Sequence, residues 1–129
     1  MLILEISTHS SVPIYEQIVD GVQRLIRSGD LKPGTVLPSV RQLASDLEIN
    51  PNTVARAYRA LERDCILETA GRRGTRVAAD AQECSRRVLS SRLDEMADRV
   101  FRETAQLGVD AGDLIEALVK RLELTSENA

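Results

Sequence analysis

Apolar residues fall into helical stripes at several places along the chain, and two short stripes stand three residues apart. Val40, Leu43, Ala44 and Leu47 occupy positions i, i+3, i+4 and i+7, the spacing that lines one face of a helix. Val54, Ala57, Tyr58 and Leu61 repeat it. Pro38-Ser39 marks the start of the first helix, and Glu48-Ile49-Asn50 forms the turn, with Ile49 as an apolar plug between the helices. Asn50 suits the N-cap and Pro51 the first helical position, where a missing N–H costs nothing. Helices this short do not persist alone in water, so they require a packing partner.

That partner lies upstream. Ile14, Ile18, Val22, Leu25 and Ile26 form a stripe between Pro13 and Ser28, and Gly29 is placed to end it. Downstream, Cys65 to Thr69 reads as a short strand, Ala70 to Gly74 as a basic turn, and Thr75-Arg76-Val77 as a returning strand. Three helices followed by a hairpin make a winged helix-turn-helix, whose second turn-flanking helix lies in the DNA major groove. The hairpin tip, Gly71-Arg72-Arg73-Gly74, carries two guanidinium groups suited to phosphates or the minor groove.

A second region of helical pattern follows. Leu89, Leu93, Met96 and Val100 are spaced four, three and four apart, Leu107 follows a heptad later, and Phe101 broadens the stripe. Gly108 breaks this helix, and Asp110 with Asp113 supplies an N-cap and a favourable first-turn charge for another. Leu114, Ile115, Leu118, Val119 and Leu122 form its apolar face. Two such faces are too much for a small winged domain to cover, so an interface between two chains is the economical expectation; a tail folded back on its own domain is the alternative. The fold class is therefore mainly α with a small β-hairpin. A winged helix-turn-helix domain spans residues 1–78, including an extended arm at 1–8, and a helical dimerisation tail spans residues 81–129. The arm, Leu2 to Ile6, either joins a sheet or crosses to a partner.

The segments Pro13-Ile14-Tyr15-Glu16-Gln17-Ile18, Leu31-Lys32-Pro33-Gly34, Leu37 to Ala44, Asn50 to Val54, Ala57 to Arg63 and Gly74-Thr75 together resemble the DNA-binding domain of the GntR family of bacterial transcription regulators. The short remainder resembles the YtrA-type subfamily, whose members add only a small helical dimerisation tail. Three departures stand out. The family usually has glycine where Glu48 and Cys65 stand, at positions that need a left-handed backbone. The wing carries Gly71-Arg72 where the family tends to place an arginine before a glycine.

Position within the motif assigns roles. Ser39 and Arg41 open the helix that crosses the backbone, which suits them to phosphates; the resemblance supports Arg41 especially. Asn52 and Thr53 begin the recognition helix, within reach of base edges or flanking phosphates. Arg56 shares a face with Thr53 and is the main candidate for base reading. Tyr58 belongs to the apolar stripe, with a phosphate contact by its hydroxyl as a further role. Arg59 joins the DNA-binding set, with pairing to Glu62 or Asp64 as its alternative. Arg72 and Arg73, with Gly74 and Thr75, complete the set at the wing.

Charge changes the picture only in its distribution. The net charge is −3, which by itself disfavours a nucleic-acid binder. Residues 1–80 hold ten Arg/Lys and ten Asp/Glu, whereas residues 81–129 hold seven and ten. Between Ser39 and Arg76 there are seven arginines and five acids, so the positive charge gathers on the proposed DNA face. That fits a sequence-specific dimer with weak non-specific affinity better than a general coating protein.

Other classes fare worse. There is no nucleophile–base pair, phosphate loop or metal constellation, so an enzyme is not expected, nor a cofactor. With one histidine and two cysteines, a metal site is not expected either; the reading is a buried Cys65 and an incidental Cys84 in a reducing cytoplasm. No apolar run approaches the ~20 residues that span a bilayer. The expectation is a cytoplasmic, nucleoid-associated homodimer that binds an inverted repeat in double-stranded DNA as a repressor, activation using the same contacts. Family resemblance implies a transporter operon, of the ABC class, as target. The effector is unknown, and a small one at the dimer interface is compatible with the chain. A winged-helix protein-interaction module is the alternative, disfavoured because the recognition face is polar and basic rather than apolar.

Overall fold

The computed structural model describes Leu2 and residues 4–127, with the side chains of Arg73 and Glu127 outside that description. It contains, in order, α1 (Ile14–Ser28), α2 (Val40–Leu47), α3 (Pro51–Arg63), β1 (Leu67–Thr69), a one-turn 3-10 helix (Gly71–Arg73), β2 (Thr75–Val77), α4 (Ala81–Gln106) and α5 (Ala111–Glu127). Two compact units are distinguished, Met1–Leu89 and Ser90–Ala129.

In the first unit, α3 packs against both α1 and α2 and leads into β1. Ile18, Val22 and Ile26 of α1 are buried with Leu43 and Ala44 of α2 and with Val54, Ala57, Tyr58 and Leu61 of α3, and the rest of the predicted stripes, Ile14, Leu25, Val40 and Leu47, packs half-buried against this core. Ile49 packs at the edge of this core, as the plug between the helices requires. The ends are set by the residues expected. Gly29 closes α1 in a left-handed conformation (φ 86°), and the Asn50 side chain accepts the Asn52 amide at 2.8 Å, with Pro51 as the first residue of α3.

β1 and β2 pair antiparallel, Leu67 opposite Val77 and Thr69 opposite Thr75. The strand expected from Cys65 begins only at Leu67, because Cys65 turns through a left-handed backbone (φ 61°). Residues 34–37, unassigned by pattern, run along the other side of β2. The Gly34 amide donates to Val77 O and the Leu37 amide to Thr75 O, each at 2.8 Å, and the Val77 amide donates to Thr35 O at 2.9 Å. The hairpin is thereby tied to the start of α2.

The described part of the N-terminal arm joins no sheet and packs on its own unit. Leu2, Leu4 and Ile6 are half-buried against the core of their own unit, and Leu4 fills the space beside Gly21 where a Cβ would stand 2.8 Å from its Cδ2. Ile3 and Met1 lie outside the described residues.

The first two turns of α4, assigned by sequence to the tail, are built into the first unit. Ala81, Cys84 and Ser85 are buried. Arg27 donates to Ser85 Oγ at 3.1 Å and to Gln23 Oε1 at 3.3 Å, and Ser85 Oγ donates to Gln23 Oε1 at 3.4 Å. Gln82 Nε2 donates to the Ile26 carbonyl at 3.2 Å, beside the Gly29 amide that donates to the same oxygen at 3.2 Å. Cys65, expected to be buried, is exposed, and Cys84, to which no place was assigned, is buried. Cys65 sits in the turn after α3, whereas Cys84 lies on the docked turn of α4, where burial and the Asp80 carboxylate push its thiol above its ordinary range.

In the second unit, Gly108 (φ 73°) follows α4, and Asp110 Oδ1 accepts the Gly112 amide at 2.8 Å to cap α5. Thr104 is buried and donates back to the Val100 carbonyl at 2.8 Å. Leu93, Met96, Phe101, Leu107, Ile115, Leu118, Val119 and Leu122 are all exposed, while Val100 and Leu114 are half-buried. Leu89, at the end of the first unit, is 37% exposed.

Candidate nucleic-acid interface

The site is built from the start of α2 and the outer face of α3. Ser39 Oγ accepts the Gln42 amide at 3.1 Å, so this residue caps α2 while its hydroxyl keeps a hydrogen to donate. Arg41 follows it, exposed. Gln42 is held by Asp46 at 2.8 Å, on the same helix. The turn to α3 passes through Glu48, left-handed at φ 56°, ψ 46°; its amide and that of Ile49 return to Ser45 O and Ala44 O. The non-glycine residues with positive φ among those described are Glu48 and Cys65, the two places where glycine was expected.

On α3, Asn52, Arg56, Arg59 and Arg63 succeed one another by four, three and four residues and are all exposed, so they share one face. Thr53 is half-buried beside them. Among the described residues neither Arg59 nor Arg63 enters an ion pair, and the Glu62 carboxylate instead accepts from Thr69 Oγ1 of β1 at 3.0 Å. Arg56 places its guanidinium carbon 3.8 Å from the centre of the Tyr15 ring. Tyr15, from the first turn of α1, is half-buried and its hydroxyl donates to Glu16 Oε1 at 3.1 Å.

Tyr58 requires a correction. It is 4% exposed and its hydroxyl donates to the Pro38 carbonyl at 2.7 Å. A buried phenol with its proton spent on a backbone acceptor belongs to the frame between α2 and α3, not to a phosphate.

At the wing, the Ala70 amide donates to Gly74 O at 2.6 Å and closes the tip. Gly74 adopts φ 86°, ψ −145°, a conformation essentially confined to glycine. Arg72 is exposed, Thr75 half-buried, and Arg76 pairs with Glu68 across the hairpin at 2.6 Å. The side chain of Arg73 lies outside the described residues. Sequence reasoning assigned no role to Tyr15, which stands off the apolar stripe of α1, nor to Gln23 and Ser85, whose partnership joins distant segments. Among the described residues no cluster of His, Cys, Asp and Glu gathers as a metal site, and no helix is long and apolar enough to cross a membrane.

Residues 14–77 match the family described as bacterial regulatory proteins, gntR family. The HTH-type transcriptional repressor YtrA of Bacillus subtilis is 38% identical over 113 residues, covering 88% of this chain and 87% of that protein. The chain belongs to the GntR family. Among solved structures, a GntR family transcriptional regulator from Listeria monocytogenes superposes with a TM-score of 0.69 at 32% identity, over 86% of this chain and 96% of that one. YtrA from Sulfolobus acidocaldarius, a GntR-family transcription factor, gives a TM-score of 0.57 at 38% identity, over 70% and 96%. Its winged helix is therefore that of the GntR regulators, it is a DNA-binding transcription regulator of the YtrA type, and these relatives are regulators rather than enzymes.

Proposed function

We propose that this GntR protein is a cytoplasmic homodimeric repressor that reads an inverted-repeat operator with α3. The observation that carries this reading is the exposed α3 face of Asn52, Arg56, Arg59 and Arg63, on a helix capped at Asn50 and backed by an apolar core. Arg56 supplies the planar fork that pairs with the O6 and N7 acceptors of guanine. Asn52 and Thr53 reach base edges or flanking phosphates, and Ser39, Arg41 and Arg59 bond the backbone and set the register. Arg72, Arg73, Gly74 and Thr75 form the wing contact. A polar, arginine-bearing face favours DNA over a protein partner, which would call for an apolar patch.

The exposed apolar residues of α4 and α5 support the dimer: two copies bury them against each other, and the tail sets the separation of the two recognition helices. Successive major grooves on one side of the duplex lie ~34 Å apart. A signal that shifts the tail helices therefore changes operator affinity through spacing alone.

Selection of bound duplexes from a random pool tests this directly. Enrichment of an inverted repeat, bound tightly and with steep salt dependence, is the expected result. Binding no tighter than ~10⁻⁴–10⁻⁶ M for every duplex, the range of non-specific association, overturns it.

A further inference from the structure

We infer that Tyr15 is a positioning residue for DNA reading, holding the Arg56 guanidinium flat so that its edge faces outward. The inference rests on the reading that Arg56 contacts bases, and deepens it by naming what prepares that contact. An arginine on an open helix face samples many rotamers, and all but one are lost on binding. Here the cation lies 3.8 Å from the ring centroid, within the distance at which the negative face of an aromatic ring attracts it. Stacking occupies the plane of the guanidinium and leaves its N–H donors, which lie in that plane, directed at the edges. Those are the donors a bidentate guanine contact uses.

The platform is itself fixed. Tyr15 is half-buried against the core, and the Glu16 carboxylate accepts its hydroxyl hydrogen at 3.1 Å. α1 thus contributes to recognition from outside the helix-turn-helix, through a contact between two segments distant in sequence. The ring carries the effect and the hydroxyl does not, which makes the two separable by substitution.

The test is a double-mutant cycle on the full chain, with the duplex selected from a random pool and its single-base-pair variants. Free-protein melting is followed in parallel. Tyr15→Leu is expected to weaken binding to the selected duplex about two- to fivefold, the range of an exposed cation–π contact. The loss concentrates at the base pair whose discrimination disappears in Arg56→Ala. Tyr15→Phe keeps wild-type affinity, and Tyr15→Leu adds nothing when Arg56 is already alanine. Equal loss from Tyr15→Leu with and without Arg56, equal loss on all duplexes, or no loss at all overturns the inference while leaving base reading by Arg56 intact. If Arg56→Ala itself weakens every duplex alike, base reading fails first and this inference fails with it.

Discussion

The hydroxyl of Tyr58 donates to the carbonyl of Pro38 at 2.7 Å, tying the middle of α3 to the residue that precedes the cap of α2. Tyr58 is 4% exposed, and burial pushes its phenol up to about 12. The apolar stripes of α2 and α3 hold the helices together without direction; this hydrogen bond adds one. It fixes where Ser39 and Arg41 stand relative to the face that carries Arg56.

Tyr58→Phe removes that bond and leaves the Pro38 carbonyl without its partner, at a cost of about 1 kcal/mol, read as a lower urea midpoint. Preference among DNA sequences stays as in the wild type. The raised phenol also links stability to alkaline pH. Below about pH 10 the phenol is neutral folded or unfolded and its contribution is complete. Between about 10 and 12 only the unfolded chain releases the proton, so stability falls through that window. The fall is shallower in Tyr58→Phe.

Glu48 and Cys65 hold left-handed backbones at φ 56° and 61°. That conformation costs an L residue ~1–2 kcal/mol, of which glycine's greater unfolded-state freedom returns ~0.5–1 kcal/mol. Glu48→Gly and Cys65→Gly should therefore each stabilise the domain by roughly 0.5–1 kcal/mol. Denaturant midpoints of the single and double variants check this, and the two gains should add.

Arg41 and Arg56 are both exposed but are assigned different work. Arg56→Ala is expected to lower discrimination at one base pair of each half-site by ~1–3 kcal/mol, whereas Arg41→Ala weakens all duplexes alike and reduces the salt slope by about one. Affinities on matched and mismatched duplexes at two salt concentrations separate the two. If both variants scale every duplex equally, this division of labour is wrong.

Leu93 and Leu118 are each about half exposed, at 54%. Burying such a side chain is worth ~1.5–3 kcal/mol, and a carboxylate in its place must be desolvated as well. Leu93→Glu with Leu118→Glu should yield a monomer by analytical ultracentrifugation, with operator affinity lost and the winged domain still folded by circular dichroism.

What the sequence reveals and what it hides divides along locality. Ser39 and Asn50 accept amides, and Gly29 donates its own to a carbonyl, all within a few residues of themselves, and the stripes of α1 to α3 repeat within a helix turn. Such features are legible from residue order alone. The left-handed backbone at Glu48 and Cys65 was legible only through the family resemblance, which places glycine at both positions. The contact of Tyr15 with Arg56, the bond from Tyr58 to Pro38 and the Gln23–Ser85 pair join segments with no periodic relation. The same holds for residues 34–37, whose backbone bonds to β2 join segments distant in sequence. The burial expected of Cys65 and found instead at Cys84 escapes for a related reason. Cys65 is exposed in the turn after α3, and Cys84 is covered because it lies on the turn of α4 that docks, which no local pattern encodes.

Hydroxyl-radical footprinting of the selected duplex tests the central claim most directly. Two protected patches on one side of the duplex, centred 10–10.5 base pairs or a multiple of that apart, are what a pair of α3 helices held by the tail must leave. A single patch, or uniform protection with no phase, would contradict it.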